Sequence, residues 1–224
     1  VDIEQTPFVV AEFADNPEPR CPCVLLLDTS GSMQGSPIAA LNAGLQIFKD
    51  ELAADSMAAK RVEISVISFG PVRQITDFQT ADEFDPPTLT ASGDTPMGSA
   101  IELAIECIRL RKEVYRTNGI TYYRPWIFLL TDGGPTDGWK RAASKVREGE
   151  AIRSFQFFAV GVQGANFDTL KQISVREPLR LDGLRFRDMF SWLSNSLGGV
   201  SKSQPGEQIL LAPPTGPSGW ASVG

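Results

Sequence analysis

Asp28, Ser30 and Ser32 alternate in the pentapeptide DTSGS, which follows the apolar residues 24–27 without a break. Two later stretches carry donors of the same kind: Thr95 in GDTPMGSAI and Asp132 in LLTDGGPTD. Every one of these five side chains offers oxygen and nothing else. Two carboxylates about 4 Å apart repel by roughly 4 kcal/mol at an effective dielectric near 20, so a site joining Asp28 to Asp132 needs positive charge. The chain has no histidine, and none of the three stretches contains lysine or arginine. A bound cation is the economical source. Hydroxyl and carboxylate oxygens suit a hard ion, Mg²⁺ first, with Mn²⁺ or Ca²⁺ as alternatives. Taken singly the residues have plainer roles. Thr95-Pro96 and Ser36-Pro37 each read as a helix cap followed by the first helical residue, and an aspartate after a strand is common turn material. The combination is what the plain roles leave unexplained.

The elements that must bring these residues together are legible as alternating periods. Residues 23–27, 62–69, 126–130 and 155–162 are apolar runs of strand length, the last three rich in β-branched and aromatic side chains. Between them Ile38, Leu41, Leu45, Phe48 and Leu52, then Met97, Ile101, Ala104, Ile105 and Ile108, keep helical spacing. Strands without a polar face, alternating with helices, predict an α/β fold: a doubly wound, mostly parallel sheet with helices on both faces. Residues 72–78 follow the second strand after a link too short for a parallel crossover, so they predict an antiparallel edge strand. Helices are expected at 139–148, 167–173 and 186–197 and a last strand at 178–181, for about six strands in all. In such a sheet the loops past the carboxyl ends of the strands face a crevice, which is where DTSGS and TDG fall.

Composition narrows the function classes. The chain has 224 residues, 27 acidic and 21 basic, for a net charge of −6, which disfavours nucleic acid or an anionic membrane as partner. A basic cluster at Arg109, Arg111, Lys112 and Arg116 is interleaved with Glu106 and Glu113 and reads as a solvated, partly paired helix face. Three cysteines are too few for a disulfide framework, and without histidine they make a poor zinc site, so reduced thiols and a cytoplasmic location are expected. No apolar run is long enough to span a bilayer. An N-terminal extension at 1–20, one domain at 21–200 and a Pro/Gly/Ser-rich tail at 201–224 complete the organisation. The tail is either a linker or an arm that packs its ILLAPP segment onto the domain or a neighbour.

With these motifs in order, the chain resembles von Willebrand factor A domains over residues 22–197. DTSGS matches the D-x-S-x-S signature, Thr95 resembles the second-loop threonine, and Asp132 the third-loop aspartate. The resemblance implies a metal-ion-dependent adhesion site in which Ser30, Ser32 and Thr95 contact the metal while Asp28 and Asp132 hold its waters. A carboxylate from a protein partner then takes the vacant coordination position. Gly31, Met33, Asp94, Gly133 and Pro135 are the expected rim contacted by that partner. LLLDTSGSM with its G-x-P-I helix start, TPMG, and LLTDGxPTD near Trp139 look most like the bacterial, cytosolic TerY-like proteins of tellurium resistance and stress response. That resemblance implies stress-operon kinases, phosphatases or other Ter-type proteins as partners.

Two rivals to a non-catalytic, metal-gated binding module follow from the same residues. One is a von Willebrand factor A scaffold that works without metal. The other is an aspartic-protease-like hydrolase, since DTSGS lies close to a D-[ST]-G motif. Such enzymes need two of these loops sharing one proton, whereas the second acidic loop here reads TDG and a helix follows the first. A phosphate-binding GxxxxGK[ST] loop is absent, and neither serine has a histidine base.

Overall fold

The computed structural model describes residues 13–216 and 219–223. Of the N-terminal extension expected at 1–20, residues 1–12 lie outside the described residues, as do 217, 218 and 224 of the tail. The strands are β1 (Cys21–Asp28), β2 (Val62–Phe69), β3 (Arg73–Thr80), β4 (Trp126–Thr131), β5 (Gln156–Gly161), β6 (Leu179–Leu181) and β7 (Ala221–Val223). The helices are α1 (Ser36–Ala54), α2 (Ser56–Arg61), α3 (Met97–Thr117), α4 (Lys140–Ala151), α5 (Phe167–Ile173) and α6 (Phe186–Lys202). Strand order in the sheet is β3-β2-β1-β4-β5-β6-β7. The pairs from β2 to β6 are parallel, and β3 and β7 run antiparallel at the two edges. This is the doubly wound, mostly parallel sheet expected, with a strand more than expected at its far edge. The added strand is β7, only three residues long and cut from the polar tail, so no apolar run announces it.

Side chains of β1, β2 and β4 are buried from end to end, as apolar runs with helices on both faces require. The two faces divide by parity. Cys21, Cys23, Leu25 and Leu27 face a core completed by Leu45, Phe48 and Leu52 of α1 and Phe190, Leu193 and Leu197 of α6. Val24 and Leu26 face the opposite core, with Ile101, Ala104 and Ile108 of α3 and Val146 of α4. Cys107 belongs to this second core, so it stands across the sheet from Cys21 and Cys23 and cannot share a metal with them. All three thiols are free and buried, and burial together with Glu63 pushes Cys21 up to about 12.

The chain winds outward from β1 through β2 to β3, then returns to lay β4 on the other side of β1. The carboxyl ends of β1 and β4 therefore flank the point where strand order reverses. At the opposite pole the sheet is pinned by charge. Glu63, fully buried on β2, accepts from Arg20 Nε at 2.8 Å and Arg111 Nη2 at 2.7 Å, and from the Tyr115 hydroxyl. Arg111 thus departs from the solvated face expected of it, whereas Arg109 does pair with Glu106 and Glu113 on the surface of α3.

The tail packs back on the domain rather than leaving it. Trp192 Nε1 of α6 donates to Ala212 O at 2.7 Å, and the Trp192 and Trp220 rings lie 5.6 Å apart. Among the described residues no helix is long and apolar enough to cross a membrane.

Candidate metal centre

Asp28 ends β1, and its fully buried carboxylate is fixed from two directions. Ser30 N donates to Oδ1 at 2.9 Å, and Thr131 Oγ1, at the end of β4, donates to Oδ2 at 2.5 Å. The loop past β1 then turns through a short 3-10 turn, Gly31–Met33, which brings Ser32 Oγ to 3.0 Å from Ser30 Oγ. Ser32 Oγ in turn donates to Asp132 Oδ1 at 2.7 Å, closing a link between residues a hundred positions apart. Three of the five expected donors are thereby in one hydrogen-bonded chain, and Asp28 anchors its start.

Thr95 arrives by backbone ties rather than by capping. Gly31 N donates to Gly93 O at 3.0 Å, joining the second loop to the first, and Thr136 N donates to Thr95 O at 2.9 Å, joining it to the third. Thr95 N donates to Thr136 Oγ1 at 3.1 Å, and Thr95 Oγ1 faces Gly133, where a Cβ would come to 3.5 Å. The expectation that Thr95 caps the following helix is corrected. Asp137 does so, accepting from Gly98 N and Ser99 N at 2.8 Å each, and from Ser99 Oγ at 2.7 Å. Likewise α1 begins at Ser36 with Gly35 as its cap residue and no side-chain cap bond. With the amides of α3 served by Asp137, the buried Thr95 hydroxyl has no capping duty.

Sequence reasoning missed four residues, three of them beside Asp132. Thr131 holds Asp28, Asp137 caps α3 from the third loop, and Thr136 ties that loop to Thr95. The only signal was proximity, since all three flank Asp132 within TDGGPTD, and side-chain targets on other loops leave no trace in spacing. Gly70 is a fourth. Its φ of 125° lies in the left-handed region, and a Cβ there would stand 2.8 Å from Ser30 N, so only glycine lets β2 close against the first loop. Of the expected rim, Gly31 and Asp94 are exposed and Gly133 and Pro135 half-buried. Met33 is corrected: it is fully buried in the core that also holds Leu41, because the 3-10 turn points it inward.

Burial holds the Asp28 carboxyl above its ordinary value; hydrogen bonds from Ser30 and Thr131 oppose that, and the Asp132 charge adds to it. Among the described residues none of the groups acting on Asp28 is a cation. Among the described residues no three of His, Cys, Asp or Glu cluster so as to hold a metal, so a metal here would need the hydroxyls as ligands. Their geometry suits one. Adjacent corners of an octahedron with ligands at 2.0–2.1 Å are about 2.9 Å apart. Ser30 Oγ and Ser32 Oγ, the two hydroxyls expected to contact the ion, are 3.0 Å apart and match that edge, while Ser32 Oγ donates at 2.7 Å to Asp132, the expected holder of its waters.

A family profile described as von Willebrand factor type A domain matches residues 23–186. The chain belongs to that family. Solved structures share its fold at low identity. The pilus adhesin SpaC of Lactobacillus rhamnosus GG, in its open conformation, superposes with a TM-score of 0.66 at 13% identity, over 81% of this chain and 30% of SpaC. Proximal thread matrix protein 1 of the mussel byssus gives 0.58 at 18% identity, over 83% of this chain and 47% of its own. The same mussel protein solved with a zinc-occupied MIDAS motif gives 0.54 at 15% identity, over 80% and 48%. This von Willebrand factor A chain thus spans about half or less of those proteins. No curated protein matches it.

Proposed function

We propose that this von Willebrand factor A domain is a non-catalytic protein-binding module that grips an acidic side chain of its partner through a divalent cation. The observation that carries the reading is the Ser32 hydroxyl, held 3.0 Å from Ser30 Oγ, an octahedral-edge distance, and donating to Asp132 Oδ1 at 2.7 Å. Ser30, Ser32, Thr95, Asp28 and Asp132 would hold the cation, Mg²⁺ by preference for an all-oxygen set, and the zinc-occupied relative supports a divalent ion in general. A cation bound there supplies a Lewis-acidic position for an incoming carboxylate. Asp28 and Thr131 keep the first loop fixed before anything binds, so little ordering accompanies capture. Gly31, Asp94, Gly133 and Pro135 form the contact rim. The pilus adhesin neighbour supports adhesion as the mode of action, and the resemblance to TerY-like proteins supports a cytoplasmic stress-response or tellurium-resistance assembly, with a kinase, phosphatase or other Ter-type protein as partner. The domain proper occupies 21–200, with β7 of the 201–224 tail clipped to its edge.

The test is thermal melting in MgCl₂ against EDTA, followed by capture of partners from lysate under both conditions. Saturation at a hundred times the dissociation constant stabilises the fold by about 2.7 kcal/mol, which moves the midpoint of a domain this size by several degrees. A melting curve indifferent to Mg²⁺, Mn²⁺ and Ca²⁺ alike would show a scaffold that works without metal.

A further inference from the structure

The pole opposite the metal centre holds a cleft of about 590 Å³ at the amino ends of β4 and β5, within the range that encloses small molecules. Lys112, Arg124, Arg153 and Arg176 line it, with Tyr122 beside them, against one carboxylate, Glu207 of the tail. This is a concentration of positive charge in a chain whose net charge is −6. Arg124 and Arg176 share a single acid, Glu150. Lys112 donates to Ser154 O and Oγ at 3.2 and 3.1 Å and stands 5.9 Å from the Tyr122 ring. Among the described residues no carboxylate pairs with Lys112 or Arg153. Four cations less Glu150 and Glu207 leave two positive charges uncompensated around one concave space.

A solvated basic face is the plainer account, and two observations oppose it. Lys112 is half-buried, and its ammonium is pushed down by burial and by Arg116, the condition of a cation waiting for a counter-charge. Arg153 follows the end of α4 with a φ of 55°, the left-handed cap position that glycine occupies most easily, and its N–H donates to Glu150 O. The chain thus sets an arginine at the cleft where glycine would serve the backbone better.

We infer that this cleft is a second binding site, for a small phosphorylated anion carrying at least two negative charges. Guanidinium groups match phosphate oxygens two at a time, and Lys112, bonded to Ser154 next to Arg153, adds a point charge. A concave site on a net acidic protein suits a small ligand better than a nucleic acid, whose long-range field the rest of the surface repels.

The probe is pyrophosphate, titrated calorimetrically into the full chain in EDTA, so that the metal centre takes no part and failure of either proposal is separable. One equivalent should bind and raise the melting temperature, with citrate and orthophosphate weaker. Arg153→Gly should lose about tenfold in affinity, one ion-pair's worth, while melting no lower than wild type because the left-handed strain is gone. Lys112→Met, which keeps the buried stem, should lose as much. Absence of binding by the wild type, affinity unchanged in both variants, or citrate binding as tightly as pyrophosphate would each overturn the proposal.

Discussion

Asp132 shows what single side chains contribute to this site. Its carboxylate receives Ser32 Oγ and raises the titration of Asp28, so in the absence of metal the two acids work against each other. Replacing Asp132 with Asn keeps an acceptor for Ser32 and removes the repulsion. Asp132→Asn should therefore melt in EDTA at or above the wild-type temperature, yet lose the several-degree gain in MgCl₂. A gain equal to the wild type's would place the cation elsewhere. Asp137 tests the neighbouring inference that helix capping and site geometry are coupled. Asp137→Ala leaves Gly98 N and Ser99 N without their acceptor, which should cost about 0.5–2 kcal/mol and lower melting by a few degrees. Because the same loop ties Thr95, Mg²⁺ affinity measured by titration should weaken as well, although Asp137 holds no place among the expected ligands.

Between elements, α1 packs closely on α6. A Cβ on Gly44 would fall 2.5 Å from Phe190 Cδ2, so the glycine sets the approach of the two helices. Gly44→Ala should cost about 1–3 kcal/mol by overpacking despite its better helix propensity, a sign that denaturant unfolding would read directly. The far end of α6 is tied by charge. Asp55 accepts from Met57 N and Ala58 N as cap of α2 and pairs with Lys202, the last residue of α6. The Lys202 hydrogen bond, more than the amide bonds, holds the Asp55 carboxyl below its ordinary value. A depressed acid contributes stability above its unfolded pKa, near 3.9, and that contribution is lost as pH falls through the folded value. Lys202→Met should then be less stable than wild type at neutral pH by about 1 kcal/mol or less, with the gap closing in acid. A gap that does not narrow as the pH is lowered would assign the loss to packing instead.

Across the whole molecule the site and the tail stand at different regions of one sheet, and the tail contributes to the fold. Trp220, immediately before β7, is buried, its ring tilted against that of Trp192. Trp220→Ala should lower melting by roughly 10 °C, since large-to-small core changes of this kind cost about 3–5 kcal/mol, and the Mg²⁺ increment should survive. Loss of that increment would mean that the tail supports the metal centre through α6. Much of this architecture could be read from the residues alone. Apolar runs with no wet face dictate a covered parallel sheet, the short link after residue 69 dictates the antiparallel β3, and DTSGS and Asp132 fall after strands because of the order of those runs. What the sequence determined was the kind of donor and the loops that carry it, because hydrophobic period and residue chemistry are local properties. Only the tertiary structure decided that Thr131 serves Asp28, that Asp137 rather than Thr95 caps α3, that Met33 turns inward, that Arg111 seeks a buried acid, and that three residues of a polar tail close the sheet. Each of these joins groups far apart in the chain or pointed by a turn. A hydrogen bond or ion pair of that range depends on where two backbones pass, which no spacing within one segment records.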